Sequence, residues 1–148
     1  MITVAITEDR KIIESILSDP ELFKLYSGGI IELKDLVIDH SFQYLLIKNG
    51  KDVLGCFQIK RMTNTILEVH AFILPKYWGN PLVKVGVDSA HLWIKKQGYL
   101  KTFTQVPSNC THVLKFLQKI NYHCCGMIEK GIIHNHLLAT LFFYEFEV

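Results

Sequence analysis

The passage from Thr65 to Trp93 constrains the fold of this chain more than any other part of the sequence. It combines a long apolar strand segment, Thr65–Leu74, with the turn Pro75–Pro81 and then an amphipathic helix. The first backbone N–H groups of a helix have no partner within the helix, and the helix dipole favours negative charge there. A strand that leads through a glycine-containing turn directly into a helix therefore predicts a pocket for phosphate groups at the turn.

The composition is typical of one globular domain without a strong charge preference. A chain of 148 residues is long enough for a single domain, 1–148, with a sizeable hydrophobic core. Apolar residues make up 49% and charged residues 20%, and the net charge is +2, which gives no support for a nucleic-acid or anionic-membrane partner. No apolar run approaches the ~20 residues of a membrane span, and no signal peptide is recognisable.

The four cysteines predict thiols rather than a disulfide framework. Cys124 and Cys125 are adjacent and cannot easily pair with each other, and Cys56 and Cys110 lie far apart in sequence. We expect reduced, mostly buried thiols in a reducing compartment, and hence a cytoplasmic location.

The predicted elements alternate between strands and helices. Thr7 is a suitable N-cap for a first helix. Asp19-Pro20 suits the start of a second helix, and Gly28-Gly29 suits its end. Asn49-Gly50 is a strong hairpin signal. The predicted strands are 1–6, 44–48, 53–61, 65–74, 101–106, 122–133 and 136–147, and the two long helices are 81–97 and 109–120.

The strand–helix–strand order in the middle of the chain predicts a parallel pair of strands. Two parallel neighbours need a crossover connection, and the helix 81–97 supplies one between Thr65–Leu74 and Lys101–Val106. We expect these two strands to lie side by side and to separate near Pro75 and Pro107.

Two motifs within this order resemble those of the GNAT superfamily of acyltransferases. Phe72–Gly79 is similar to the family's strand end and pyrophosphate turn, and Val106–Asn109 followed by Val113–Tyr122 is similar to its fifth strand, asparagine and later helix. The element order extends this resemblance over nearly the whole chain. The resemblance implies an α/β (α+β) fold with a mixed, mostly antiparallel sheet of six to seven strands and helices on both faces.

The resemblance also implies a function, the transfer of an acyl group from acetyl-CoA or another acyl-CoA to a small-molecule or peptide amine. The turn from Lys76 to Leu82 would bind the pyrophosphate. Asn109 would hydrogen-bond the pantetheine or phosphate arm, or would simply cap the helix that follows it. The residues expected to bind the acyl-CoA are Phe72, Ile73, Leu74, Lys76, Tyr77, Trp78, Gly79, Asn80, Leu82 and Asn109.

The sequence departs from the family pattern at two positions that bear on activity. Gly79 matches a glycine of the family's turn, but Pro81 replaces a second small residue and removes one N–H from the turn. The tyrosine that often acts as general acid in the family falls on Leu117, which cannot give a proton to a departing thiolate. The proton donor for the thiolate is therefore left without an assignment.

Glu68 and His70 are the candidates for proton chemistry. Residues two apart in a strand point to the same face, and in the family this strand lines the acceptor cleft. An amine must lose a proton before it attacks, and either a carboxylate or a neighbouring histidine can accept it near neutral pH. The alternative is a partly exposed pair that is satisfied by water.

Histidine and cysteine cluster late in the chain, but their spacing does not match a metal site. Zinc sites typically show Cys-x-x-Cys or His-x3-5-His spacings, and neither is present. We therefore predict no metal. The residues of this cluster are His112, His123, Cys124, Cys125, His134 and His136.

A second class of function also fits the resemblance: a GNAT-like structural or assembly protein whose catalytic pattern is eroded, as in some phage-encoded, virion-associated proteins. Its partners would be virion proteins or a second copy of the chain in a homodimer. The aromatic segment 141–146 fits either a core strand, which we favour, or a dimer edge. Binding of acetyl-CoA discriminates between the two classes.

Overall fold

The alternating apolar pattern produces seven strands and four helices, as described by the computed structural model over residues 1–148. Two short 3₁₀ helices, Leu33–Asp35 and Pro75–Tyr77, complete the elements. The strands are β1 Ile2–Thr7, β2 Gln43–Asn49, β3 Asp52–Arg61, β4 Ile66–Ile73, β5 Lys101–Pro107, β6 His123–His134 and β7 Leu137–Glu147. The helices are α1 Arg10–Leu17, α2 Pro20–Tyr26, α3 Pro81–Lys96 and α4 Thr111–Lys119.

All seven strands form one sheet in the order β1-β2-β3-β4-β5-β7-β6. Every neighbouring pair is antiparallel except β4 and β5, which are parallel as predicted. These two strands pair only over Ile66–Glu68 and Lys101–Phe103 and then separate. The predicted separation is confirmed, and it begins well before Pro75 and Pro107.

The C-terminal hairpin settles the alternatives for the aromatic segment 141–146. This segment belongs to β7, which pairs with β5 on one side and with β6 on the other. It is therefore a core strand, and the dimer-edge interpretation of this segment is wrong. The edge of the sheet at this end is β6, whose side chains are mostly exposed.

Two helices begin later than the sequence predicted. Asp9, not Thr7, caps α1, because its carboxylate accepts from the N–H groups of Lys11 at 3.0 Å and Ile12 at 3.3 Å. Asn109 lies outside α4, which begins at Thr111 with no side-chain cap. The capping role considered for Asn109 is therefore wrong.

The helices cover both faces of the sheet, each with its own hydrophobic core. On one face α3 and α4 pack against the central strands, and on the other α1 and α2 pack against β2, β3 and β4. Side chains of β4 point alternately into the two cores, because successive residues of a strand face opposite sides of the sheet. Val69 faces α3 and α4, and Phe72 faces α1 and α2. None of the helices is both long and apolar enough to cross a membrane.

The cysteines correct one expectation. Cys56 and Cys110 are buried, but Cys124 and Cys125 are exposed on β6, so only half of the thiols fit the prediction of mostly buried ones. All four are free thiols.

A buried polar group fixes α3 against the sheet. The Tyr122 hydroxyl accepts a hydrogen bond from Thr102 Oγ1 at 2.8 Å and lies 3.0 Å from His91 Nε2. Burial lowers the pKa of His91 to about 4, so the imidazole is neutral at pH 7. Tyr122, the last residue of the second motif, therefore has a structural role in the core.

Candidate active site

The separation of β4 and β5 opens the middle of the sheet. The two strands pair only as far as Glu68, so the rest of β4 has no strand partner on its β5 side. On its other side β4 stays paired with β3, and the Leu74 N–H still donates to the Leu54 carbonyl at 2.9 Å. Because backbone groups alternate sides along a strand, the amides of Ala71 and Ile73 face the opening. The opening therefore offers free backbone groups to a bound molecule.

A cavity of about 490 Å³ lies on one face of this opening, between the start of α3, α4 and the end of β4. We call it the α3–α4 cavity. Its wall contains Ile73, Trp78, Gly79 and Leu117. The Trp78 indole N–H donates to the Ile73 carbonyl at 2.8 Å, and the His112 ring packs on the indole with a centroid distance of 4.2 Å. The aromatic part of the wall is therefore fixed by a hydrogen bond to β4.

The α3–α4 cavity carries positive charge. Lys84, Lys115 and Lys119 line it, and none of its lining residues is acidic. Lys84 is neutralised by Asp88 at 2.7 Å, one helical turn away. Lys115 and Lys119 form no ion pair within the protein, and they lie four residues apart on one face of α4. These two lysines leave a net positive field in the cavity, which suits an anion.

The turn into α3 offers fewer free donors than the sequence suggested. Pro81 has no N–H, the Leu82 N–H donates to Asn80 Oδ1 at 2.9 Å, and the Val83 N–H bonds the Asn80 carbonyl at 3.0 Å. Among the backbone N–H groups from Tyr77 to Val83, that of Gly79 alone makes no hydrogen bond. An anion at this turn must bind through the Gly79 N–H and the α4 lysines, or must displace the Asn80 side chain from its cap.

Gly79 has a conformation that explains the choice of residue. Its φ of +78° lies in the left-handed region, where a side chain causes strain. A Cβ at this position would meet nothing within 4 Å. The space next to the turn is therefore open, and the glycine is required by the backbone and not by crowding.

A second cavity of about 320 Å³ lies between the separated ends of β4 and β5. We call it the β4–β5 cavity. It shares Leu22, Leu25, Ala71 and Val113 with the α3–α4 cavity. The two spaces therefore adjoin, and a molecule in one can reach a molecule in the other through the gap in the sheet.

Glu68 and His70 form one hydrogen-bonded pair, as their shared strand face predicts. Glu68 Oε1 lies 2.8 Å from His70 Nε2, and the two side chains are about a quarter exposed. His70 lines the β4–β5 cavity, whereas Glu68 lines neither cavity. The ring of Phe42 packs edge-on against His70 with a centroid distance of 6.0 Å. The imidazole is therefore held between a carboxylate and an aromatic ring at the wall of the cavity.

Cys110 and His134 form another pair in the same cavity. Cys110 Sγ lies 3.1 Å from His134 Nε2, and both residues are buried. Burial raises the pKa of Cys110 and lowers the pKa of His134, so both groups are uncharged at pH 7. Asn109 braces this pair by donating from Nδ2 to the His134 carbonyl at 2.9 Å, and its buried Oδ1 has no partner. No three His, Cys, Asp or Glu side chains lie close enough together to hold a metal ion.

The predicted site residues separate into three groups. Ile73, Trp78, Gly79 and Asn80 line the α3–α4 cavity, and His70 and Phe72 line the β4–β5 cavity. The others line neither cavity, and these are Glu68, Leu74, Lys76, Tyr77, Leu82 and Asn109. Among them Lys76 turns away, with its ammonium 5.1 Å from the centre of the Tyr77 ring.

Several lining residues were missed because they come from other elements. Leu22 and Leu25 of α2 belong to a segment that carries no motif, and the lysines of α4 lie in the second motif but were not assigned to the acyl-CoA site. The spacing of Lys115 and Lys119 was a usable signal, because residues four apart share a helix face. The contribution of α2 had no such signal, since it depends on how that helix packs over the sheet opening.

The architecture is shared with solved structures of acetyltransferases. It matches spermidine N-acetyltransferase from Vibrio cholerae in complex with CoA and spermine with a TM-score of 0.76 and 11% identity, over 99% of this chain and 95% of that one. A GNAT family acetyltransferase from Bacillus anthracis matches with a TM-score of 0.73 and 13% identity, over 99% and 94%. A GNAT family acetyltransferase from Elizabethkingia anophelis with acetyl-CoA bound matches with a TM-score of 0.66 and 16% identity, over 99% and 98%.

No protein-family model and no curated protein matches the sequence. The sequence identities to these solved structures, 11% to 16%, support a shared architecture and nothing further. The sheet order, the parallel β4–β5 pair and the full-length superpositions together show that this chain has the GNAT fold.

Proposed function

We propose that this protein is an acyl-CoA-dependent N-acyltransferase that transfers an acetyl group to an amine. One observation carries the proposal: two adjoining cavities meet where β4 and β5 separate, and they differ in chemistry. One has two unpaired lysines and the start of a helix, and the other has a histidine–carboxylate pair at its wall. A thioester reaching through the gap would meet an amine on the other side.

The residues of the α3–α4 cavity fit the phosphates and the arm of acetyl-CoA, which supplies an activated acyl thioester. Lys115 and Lys119 would pair with phosphate oxygens, and the Gly79 N–H would donate to one of them. The N–H groups of Ala71 and Ile73 on the open side of β4 would hydrogen-bond the amide-containing arm, while the Ile73 carbonyl already accepts from the Trp78 indole. The two ammonium groups and these N–H groups have no partner within the protein, which is the reason they fit a ligand.

In the proposed reaction His70 takes the proton from the attacking amine. It lines the β4–β5 cavity directly, whereas Glu68 contacts it from behind. The carboxylate would fix the orientation of the imidazole through this hydrogen bond. The sequence pointed to Glu68 first and to His70 as helper or substitute, and the geometry favours the reverse order.

No side chain of the protein is assigned as the proton donor to the departing thiolate. Leu117 lines the α3–α4 cavity at the position where the family often has a tyrosine, and it is buried. The proton must therefore come from another group or from water. We expect transfer to be slow, because no positioned side chain protonates the departing thiolate and general acid catalysis of that step is lost.

The test is binding of acetyl-CoA, measured by calorimetry and by thermal unfolding. A ligand at 100 times its Kd should stabilise the native state by about 2.7 kcal/mol and raise the midpoint of unfolding. Transfer is then measured as amine-dependent release of free CoA. No binding of acetyl-CoA at millimolar concentration would contradict the proposal and favour a fold retained without its activity.

A further inference from the structure

The β4–β5 cavity has almost no charge, and this property limits what it can accept. None of the residues that line it is Asp, Glu, Lys or Arg. Most of its wall is apolar, including Leu25, Phe72, Val106 and Leu141. Its volume of about 320 Å³ is at the lower end of the range for small-molecule sites. The cavity suits a small molecule with an apolar body.

Three polar side chains of the cavity wall, Tyr26, Cys110 and His134, are uncharged and hydrogen-bonded within the protein. The Tyr26 hydroxyl donates to the Leu17 carbonyl at 2.6 Å, and burial raises the pKa of Tyr26 to about 12. Cys110 and His134 form the neutral pair described above. None of these groups can neutralise an ammonium ion at pH 7.

One carboxylate reaches the cavity, and it does so indirectly. Glu68 is linked to the cavity wall through its hydrogen bond to His70. In the segment between α2 and β2, Asp39 accepts from the Ser41 hydroxyl at 2.6 Å and Glu32 lies 3.1 Å from Lys34, so both are engaged outside the cavity. The site therefore provides one anionic partner, at one end of an otherwise uncharged space.

We propose that the acceptor is a small monoamine with an apolar, ring-sized body, with its nitrogen at His70 and its body against the wall of the β4–β5 cavity. This inference rests on the proposed function and goes beyond it. It also separates this chain from the structurally similar spermidine N-acetyltransferase, whose named substrate is a polyamine. A polyamine would place further ammonium groups in a cavity that has no carboxylate to receive them.

The energetic difference is large enough to measure. Burying an ammonium group without a partner costs several kcal/mol, and each 1.4 kcal/mol is a factor of ten. We expect 2-phenylethylamine, with one nitrogen and one ring, to have a kcat/KM at least about 100-fold higher than spermidine. Both amines are measured with the same saturating acetyl-CoA, so that the cofactor side contributes equally.

A charge placed in the cavity should shift this preference. Gln105 lines the cavity from β5 and is exposed, so its replacement does not disturb the core. Gln105→Glu adds a carboxylate of the same shape, and Gln105→Met is the matched uncharged control. We expect Gln105→Glu to raise kcat/KM for spermidine about tenfold, with 2-phenylethylamine changed less than about threefold, and Gln105→Met to produce no such shift.

The outcomes separate this inference from the proposed function. Efficient acetylation of spermidine, equal to or better than that of 2-phenylethylamine, would overturn the monoamine assignment and leave the acyltransferase in place. Binding of acetyl-CoA with transfer to neither amine would also overturn it. An unchanged preference in Gln105→Glu would show that the acceptor does not bind in this cavity. Failure to bind acetyl-CoA would overturn both proposals together.

Discussion

The α3–α4 cavity and the β4–β5 cavity share four lining residues and still differ in charge. The first is lined by three lysines, of which one is neutralised by Asp88. The second has no Asp, Glu, Lys or Arg in its lining. In the proposed reaction this contrast assigns the phosphates to the first cavity and the amine to the second, because phosphates need cations and an attacking amine must lose a proton to a base. The shapes of the two cavities alone would not show which substrate each one binds.

The largest expected effect tests the base in the uncharged cavity. His70→Ala should lower kcat by roughly 10²- to 10⁴-fold while leaving the Kd for acetyl-CoA nearly unchanged, because the general base is lost and the other cavity is intact. Steady-state rates and calorimetry on the same sample measure the two quantities.

Glu68→Gln is the companion variant to His70→Ala. The amide keeps the shape of the side chain but loses its charge, so we expect a smaller loss of kcat than for His70→Ala. A larger loss in Glu68→Gln than in His70→Ala would return the role of base to Glu68. Equal activity in both variants and in the wild type would remove this pair from the mechanism.

The next effect tests the turn of the α3–α4 cavity. Gly79→Asp should weaken binding of acetyl-CoA by roughly 10- to 100-fold, because a carboxylate in the open space beside the turn repels phosphate. Gly79→Asn is the matched control, since asparagine tolerates the left-handed conformation and carries no charge. Similar Kd values for the two variants would show that strain, and not charge, causes the loss.

A smaller effect distinguishes the free lysines from the paired one. Lys119→Met should weaken binding of acetyl-CoA several-fold. The effect should decrease at high salt, because Lys119 is exposed and salt screens its attraction to the phosphates. Lys84→Met serves as the control and should have less effect, since Asp88 already neutralises this lysine. The reverse ranking, measured by calorimetry at two salt concentrations, would place the phosphates nearer to α3.

The smallest expected effect concerns the missing proton donor. Leu117→Tyr should raise kcat a few-fold if the slow step is protonation of the thiolate, at a cost of about 1 to 3 kcal/mol in stability from the larger side chain. Leu117→Phe adds the ring without the hydroxyl and should not raise kcat. An increase in both variants would point to packing around the cavity as the cause.

The fold was largely predictable because its signals are local. The Asn49-Gly50 turn, Pro20 at the start of α2 and Pro81 at the start of α3 each act through their own backbone preferences, and all three hold in the structure. The parallel β4–β5 pair followed from the need for a crossover. The start of α1 was misplaced for a local reason, because Asp9 and not Thr7 accepts from the first turn. The start of α4 was misplaced for a tertiary reason, because the Asn109 side chain donates to the His134 carbonyl of β6.

The candidate site was predictable only in part. Glu68 and His70 share a strand face, so their contact follows from the two-residue period. The turn residues were identified by motif, yet the cap formed by Asn80 uses a donor that the motif assigned to a ligand. The motif describes which residues are present but not which of their hydrogen bonds are already made.

The sequence by itself determined the strand and helix pattern, the turn at Gly79 and the shared face of Glu68 and His70, because each depends on neighbours within a few residues. Only the tertiary structure decided which side chains surround the gap in the sheet. Helices α2 and α4 and strands β4 to β7 meet there from positions far apart in the chain. The charge of each cavity, and with it the chemistry that each can accept, is a sum over those distant residues, and no local pattern contains it.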